Sequence, residues 1–312
     1  MSVQQMTGAA KPESKSRLIR RLHISNGIAH VVIWLIAGIV VAIFVSIIAY
    51  LLVQGFTASA HNGQPVLLDP TFYGTTQLGI ASELFNTFYV LILAELFLVP
   101  IALSAAIYTV EYAHQGRFIT IVRFAAETLA GVPSIVLGLF GFIVFASLFG
   151  FHISRLSGAL TLHCLNFPIA LRLFEDALNA VPRELREGSL ALGSTKWHMI
   201  RTVVLPSALP GIVTGIILSA GKIIGETAAL VFTMGVVNPF QGVFTPNPFI
   251  ASDTMTILIW RLKTQDTPAG MSAAQASAVA AGAAAILIVI LLLINLGARG
   301  IGRAIERRIT AA

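Results

Sequence analysis

Apolar runs long enough to cross a lipid bilayer, separated by short polar links, make up most of this chain. Residues 1–27 are polar and basic, and the next 26, Ile28 to Val53, hold no Asp, Glu, Lys or Arg. That run exceeds the roughly 7–15 apolar residues of a secretory signal and the roughly 20 needed to cross the hydrocarbon layer. It is predicted to remain as a first membrane helix. A polar loop from Gln54 to Phe85 follows, rich in Gly, Thr, Asn and Pro and lacking Lys and Arg. Further spans are predicted from about Asn86 to Tyr112, Thr128 to Phe151, Leu156 to Phe174 and Leu205 to Val237, with a last one inside Ala269–Ala298. Between the fifth and sixth, Asp253 to Lys263 is predicted to form an interfacial helix. The pattern is that of an all-α integral membrane protein with six transmembrane helices.

Glycine and proline refine it. Gly131, Pro133, Gly138 and Gly141 lie inside the third span, where they predict a bend and close packing on another helix. Gly211 and Gly215 make a GxxxG pair in the fifth span, and Gly221 and Gly225 continue the series. Between spans four and five lies a polar island, Pro182 to Pro206. Pro182 suits the first turn of a helix, and Glu184 and Glu187 lie near its positive end. Leu185, Leu190 and Leu192 give one apolar face. Gly193 can end that helix in the left-handed conformation, Ser194 or Thr195 can cap a second, and Pro206 opens the next apolar run. The prediction is a short helix, a glycine bend and a second short helix, with apolar and charged groups turned to a partner protein.

Composition supports the membrane assignment. Charged residues are 11% and apolar residues 56% of the chain, against about 25% charged in an ordinary soluble domain. The net charge of +6 is laid out by side. Lys11, Lys15, Arg17, Arg20 and Arg21 precede the first span. Arg117 and Arg123 lie between spans two and three, Arg183, Arg186, Lys196 and Arg201 in the island, and Arg299, Arg303, Arg307 and Arg308 in the tail. The opposite side has Arg155, Arg261 and Lys263. The positive-inside rule puts both termini and the island in the cytoplasm, so the basic ends act as topological anchors and no nucleic-acid partner is needed. The single cysteine, Cys164, sits in an apolar run as a small buried hydrophobe.

Four ionisable groups are predicted at or near membrane depth: Glu95, Arg172, Lys222 and Glu226. Each costs about 2.5–3.5 kcal/mol at a helix centre on insertion scales, so each should face a bundle interior or a water-filled path. Lys222 and Glu226 are four apart, on one face of a continuous fifth helix, either as an internal ion pair or as part of a substrate path. Arg172 can reach the cytoplasmic interface and pair with Glu175 or Asp176, or line an exit. Glu95 needs a partner from another span. His163 reads as a packed polar residue, since no second ligand stands at helical spacing. Gly221-Lys222 is not a phosphate loop: GxxxxGK[ST] is absent, because Gly215 is one residue too far back and Ile223 replaces the hydroxyl residue. No Ser/His/Asp set or metal cluster can be assembled.

The island carries a resemblance. Glu187-Gly188-Ser189, three residues, Gly193, nine residues and Val203-x-Leu205-Pro206 is similar to the cytoplasmic coupling loop of ABC importer permeases, which reads Glu-Ala-Ala, three residues, Gly, nine residues, Ile-x-Leu-Pro. The swaps are small for small and β-branched for β-branched. Ala130-Gly-Val-Pro-Ser-Ile-Val-Leu-Gly-Leu-Phe140, Ser157-Gly-Ala-Leu-Thr161 and Ile224-Gly-Glu-Thr-Ala228 resemble the phosphate importer's permease, its PstA-type subunit more than its PstC-type one. The resemblance runs from about Asn86 to Lys263.

It implies a type I ABC importer permease fold in the bacterial cytoplasmic (inner) membrane. The domains would be a basic segment at 1–27, a first helix at 28–53, a permease domain at 86–298 with its coupling loop at 182–206, and a cytoplasmic tail at 299–312. It also implies a second, PstC-type permease, a cytoplasmic ATPase dimer that uses ATP and Mg, and an extracytoplasmic phosphate-binding protein. The chain itself would bind no cofactor and contact lipid. Arg183, Arg186, Glu187, Gly188, Ser189, Gly193, Leu205 and Pro206 would couple to the ATPase, with polar contacts from Arg183, Arg186 and Glu187. An arginine often stands where Lys222 is, so the cation is kept and the bidentate fork lost. The other readings are a permease for sulfate or molybdate, the PstC-type subunit, and a secondary transporter or channel; the last would need an internal repeat, which is not found.

Overall fold

A computed structural model describes residues 12–61, 63–75, 79–114, 116–235, 244–265 and 270–310. The predicted end of the fifth span at 236–237 and the side chains of the basic residues at both ends of the chain lie outside what it describes. The chain forms two compact units, Met1–Leu51 and Leu52–Ala312. Most of the first is helix α1, Pro12–Thr57, whose apolar side chains from Ile28 to Val53 are largely exposed. Lipid is the natural solvent for such a surface. The one imidazole in that run is satisfied locally: Trp34 Nε1 donates to His30 Nε2 at 3.0 Å, one turn apart.

The second unit begins with a two-stranded turn, β1 (Ser59–His61) and β2 (Gln64–Pro65), and two short 3₁₀ turns. Helix α2, Ala81–Ile107, then runs on through a π-helical turn to Tyr112. Helices α3 (Arg117–Ala130) and α4 (Ser134–Gly141, extended by π-helix to Leu148) meet at 102° across Gly131-Val132-Pro133. Pro133 lacks an N–H and pushes Val132 out of helical geometry, so the predicted bend falls there. Helix α5 is Arg155–Asn179. The island supplies α6 (Arg183–Ala191) and α7 (Lys196–Met199), and a π-helical stretch leads into α8 (Leu205–Gly225). Helices α9 (Ala228–Thr233), α10 (Met255–Thr264) and α11 (Ala273–Thr310) complete the chain.

Helix α5 is the centre of the unit, with α2, α3, α4, α8 and α9 packed around it. Every fourth residue of α2 from Val90 to Ala106 (Val90, Ala94, Leu98, Ala102, Ala106) is buried against it. Three of these are alanine, which lets the backbones close up where lipid offers no hydrophobic drive. The glycines act the same way. A Cβ on Gly141 would strike the Thr161 side chain at 2.0 Å, and one on Gly138 the Ala229 backbone at 2.7 Å. One on Gly211 would meet Ala177 at 2.7 Å, and one on Gly215 the Phe174 ring at 3.0 Å. A second core joins Val66, Phe72 and Ile80 to α10 and α11 through Met255, Leu258, Val279 and Ala283.

Among the described residues four helical stretches are long and apolar enough to cross a membrane, or five when the bent α3–α4 pair is taken as one span. Helix α5 falls short of that apolarity, with His163, Asn166 and Arg172 along its length and Arg155, Glu175 and Asp176 towards its ends, and its neighbours pack around it. One expectation needs correction. The fifth span is not continuous: α8 stops at Gly225, and Glu226 is extended (ψ 130°). The Asp253–Lys263 segment is helical from Met255, and it buries Met255, Ile257, Leu258 and Leu262.

Candidate functional site

The island folds as the predicted helix, bend and helix. Gly193 adopts φ +82°, a conformation a side chain resists. Thr195 Oγ1 caps α7 by accepting from His198 N at 3.3 Å. Ser189 earns its place through the bend, where Ser194 Oγ donates to its carbonyl and meets its hydroxyl, both at 2.7 Å. Met199, Ile200 and Val204 anchor the far side in the core. Leu185, Leu190, Leu192 and Trp197 stay exposed, Leu192 by 90%. Arg183, Glu187 and Gly188 are exposed beside them. Four apolar side chains are thus left in the open on a charged protrusion.

Arg186 departs from the set. It turns into its own chain: Nε lies 3.0 Å from Glu111 Oε1, Nη2 donates to Leu178 O at 2.7 Å, and Nη1 donates to Val181 O. A cation on the last carbonyls of α5 complements the helix dipole. Arg186 therefore ties α6 to the ends of α5 and α2, which leaves Arg183 and Glu187 as the exposed charges of the predicted set. A cavity of about 510 Å³ lined by Val110, Asn179, Arg183 and Glu187 lies beside this tie.

The ionisable groups predicted at membrane depth are spread out. Glu95 finds its partner on α8, where the buried Ser219 hydroxyl donates to Glu95 Oε1. Lys222 and Glu226 do not share a helical face, because the helix ends between them, and no ion pair joins them among the described residues. Glu226 Oε1 accepts from Ala229 N at 3.3 Å and its carbonyl accepts from Thr256 Oγ1 at 3.0 Å. Lys222 is exposed, and a Cβ on Gly221 or Gly225 would meet nothing within 4 Å. The packed face of α8 thus gives way to an open one around Lys222. Arg172 is exposed on a cavity of about 490 Å³ between α3 and α5, shared with Arg123, Glu127 and Asp176. Glu175 is engaged by Thr109 Oγ1 and by Arg123 at 4.0 Å, so it does not serve Arg172.

One fully buried charge carries no motif in the sequence that marks it as a site residue. Arg155, 1% exposed, donates from Nε to Ser252 Oγ at 3.0 Å, from Nη1 to Thr245 O at 2.6 Å, and from Nη2 to Asn86 Oδ1. Its guanidinium lies 5.0 Å from the Tyr89 ring centroid and 5.6 Å from that of Phe85. One signal was available: an isolated arginine on the side poor in basic residues, immediately before an apolar run.

This fold, a lipid-facing helical body with a short amphipathic protrusion, defines a membrane-embedded permease component. Residues 98–311 match the family described as "Binding-protein-dependent transport system inner membrane component", and the chain belongs to that family. It is thus an inner-membrane ABC importer component and not itself the ATPase, which is a separate subunit. It is 35% identical over 286 residues to a probable ABC transporter permease protein, YqgI, of Bacillus subtilis, covering 89% of this chain and 95% of that one. It is 34% identical over 240 residues to the phosphate transport system permease protein PstA 1 of Mycobacterium tuberculosis, covering 75% and 76%. Among solved structures, a bacterial alginate ABC transporter in complex with its pentasaccharide-bound periplasmic protein shares the fold. The TM-score is 0.64 at 16% identity, over 93% of this chain and 97% of that one.

Proposed function

We propose that this chain is the PstA-type permease of an ATP-driven importer that carries inorganic phosphate across the cytoplasmic membrane. Six spans are counted with α5 included, and both ends lie inside. The α6–α7 protrusion docks on a cytoplasmic ATPase dimer, a PstC-type permease completes the pathway, and an extracytoplasmic phosphate-binding protein feeds it. The observation that carries the reading is the open face of α8, where exposed Lys222 precedes the helix break at Glu226, in a chain one-third identical to a phosphate permease over three-quarters of both lengths.

The chemistry suits the solute. Lys222 attracts the dianion. A carboxylate at Glu226 accepts hydrogen bonds and cannot donate them, so it favours hydrogen phosphate, which has a hydroxyl to give, over sulfate, which has none. With Lys222 and Glu226 released from each other by the break, each is free to meet solute. Arg172, on the cavity between α3 and α5, continues the path inward. Glu95 serves the path through its bond to Ser219, one turn before Lys222.

The test is uptake of labelled phosphate by Lys222→Ala and Glu226→Gln at matched membrane levels and unchanged ATPase docking. Uptake should fall at least tenfold in the first. In the second, sulfate should begin to compete, whereas arsenate alone competes in the parent. Parental uptake and selectivity in both variants would remove these residues from the path.

A further inference from the structure

An importer driven from inside needs a route by which movement of α6 reaches the outer face. Two routes leave the protrusion. One runs through α8, but it begins with the π-helical stretch Ile200–Val204 and contains Pro210, which removes a helical hydrogen bond. The other runs through α5, a 25-residue helix about 37 Å long at 1.5 Å per residue. It too has one interior proline, Pro168, but that residue is buried among the neighbouring helices and no π-helical stretch lies between α5 and α6. Its inner end is tied to α6 and to the end of α2 by Arg186. At the outer end, Arg155 does the corresponding work.

The segment 244–252 has no regular secondary structure. Its carbonyls are nevertheless taken one after another by α2 and α5. Arg155 Nη1 donates to Thr245 O at 2.6 Å and Asn247 O at 3.4 Å, and Tyr89 Oη donates to Pro246 O at 2.6 Å. Leu156 N donates to Pro248 O at 2.9 Å and Arg155 N to Ile250 O at 3.0 Å. Arg155 Nη2 reaches Asn86 on α2, and Nε reaches Ser252 at the segment's far end. Irregular backbone at the edge of a membrane protein holds its shape only where its polar groups are met in this way. One planar fork therefore clasps both ends of the segment and two helices. Among the described residues no carboxylate pairs with it, so its worth lies in geometry, which the point charge of a lysine cannot reproduce.

We propose that Arg155 is a positioning residue that makes α2, α5 and segment 244–252 one moving body, so that displacement of α6 is delivered along α5 to an outer lid. The proposal rests on the reading of the α6–α7 protrusion as the ATPase-coupling element. It does not rest on the identity of the solute.

The experiment uses the complete complex in proteoliposomes, with Arg155→Gln, Arg155→Lys and Asn86→Ala. Phosphate taken up per ATP hydrolysed is measured alongside the mobility of a nitroxide on Phe249→Cys in a Cys164→Ala background. Phe249 is exposed on the lid, with its ring 6.1 Å from that of Phe151. In Arg155→Gln, ATP hydrolysis should stay within twofold of the parent while uptake per ATP falls at least tenfold and the label becomes mobile. Arg155→Lys should fall between, and Asn86→Ala should show a smaller change in the same direction. A label that stays immobile, or a mobile label with parental uptake per ATP, overturns the proposal. If Arg155→Gln does not assemble, unchanged mobility and uptake per ATP in Asn86→Ala overturn it instead. A parent that moves a different oxyanion sinks the phosphate reading and leaves the label result to decide this one.

Discussion

The two ends of α5 are each held by an arginine, and they are held in opposite ways. At the outer end Arg155 belongs to the first turn, where the helix dipole is unfavourable to a cation. It is fully buried, meets neutral acceptors and two aromatic rings, and gathers a loop onto the helix. At the inner end Arg186 comes from the next helix, caps carbonyls that the dipole makes negative, and pairs with Glu111 while partly in solvent. The outer arrangement closes a surface. The inner one supports a surface that stays open, with Leu192 and Trp197 exposed beyond it. The proposed coupling from one side accounts for this difference: one end of α5 is locked and the other presents its neighbour.

The comparison can be broken in order of effect. Arg155→Ala leaves several buried acceptors without a donor, at about 1–3 kcal/mol each, so it should cost about 3 kcal/mol or more of stability, seen as a large drop in melting temperature in detergent. Arg186→Ala should cost less, about 1–3 kcal/mol, because its site is partly solvated. Its main result should be ATP hydrolysis that no longer drives uptake. If the two variants melt alike, the asymmetry is wrong.

A second contrast lies along α8. Gly215→Ala puts a methyl against the Phe174 ring and should cost about 1–3 kcal/mol by overpacking. Gly221→Ala meets open space and should leave melting unchanged while lowering uptake, as expected of a face on the proposed path. Equal melting losses would mean that α8 is packed on both faces. Smaller again, Gly193→Ala forces a side chain into φ +82° and should cost about 1 kcal/mol. Thr195→Ala removes a cap and should cost about 0.5–2 kcal/mol of the same protrusion. Protease nicking at 192–197 reads both; an unchanged rate in both would mean the bend is not held by these residues.

What was legible in the sequence follows the physics that writes it there. Apolar length announced the outer helices, and Pro133 announced the α3–α4 bend, because a missing N–H acts locally. The bend at Gly193 was likewise visible from its neighbours alone. Helix α5 was legible as a run, but not as the centre of the unit, since burial by other helices leaves no mark on hydropathy. The break at Gly225–Glu226 was hidden because nothing in Ile224-Gly-Glu-Thr-Ala forbids a helix; the carboxylate on Ala229 N and Thr256 on the Glu226 carbonyl hold it open. Arg155 depends on partners 69 to 97 residues away and Arg186 on Glu111, 75 residues away, and such pairings have no local signature. For Arg186 the motif position suggested an outward role, and the carbonyls at the end of α5 drew it inward.

The most direct test of the account is photo-crosslinking from Leu192, the most exposed apolar residue of the protrusion, in membranes containing the assembled complex. The account predicts an adduct with the cytoplasmic ATPase subunit that grows or fades with the nucleotide supplied, and none with that subunit from a probe at Phe249. A Leu192 probe that never captures the ATPase, or that reacts with a membrane-impermeant reagent added outside the cell, would contradict it.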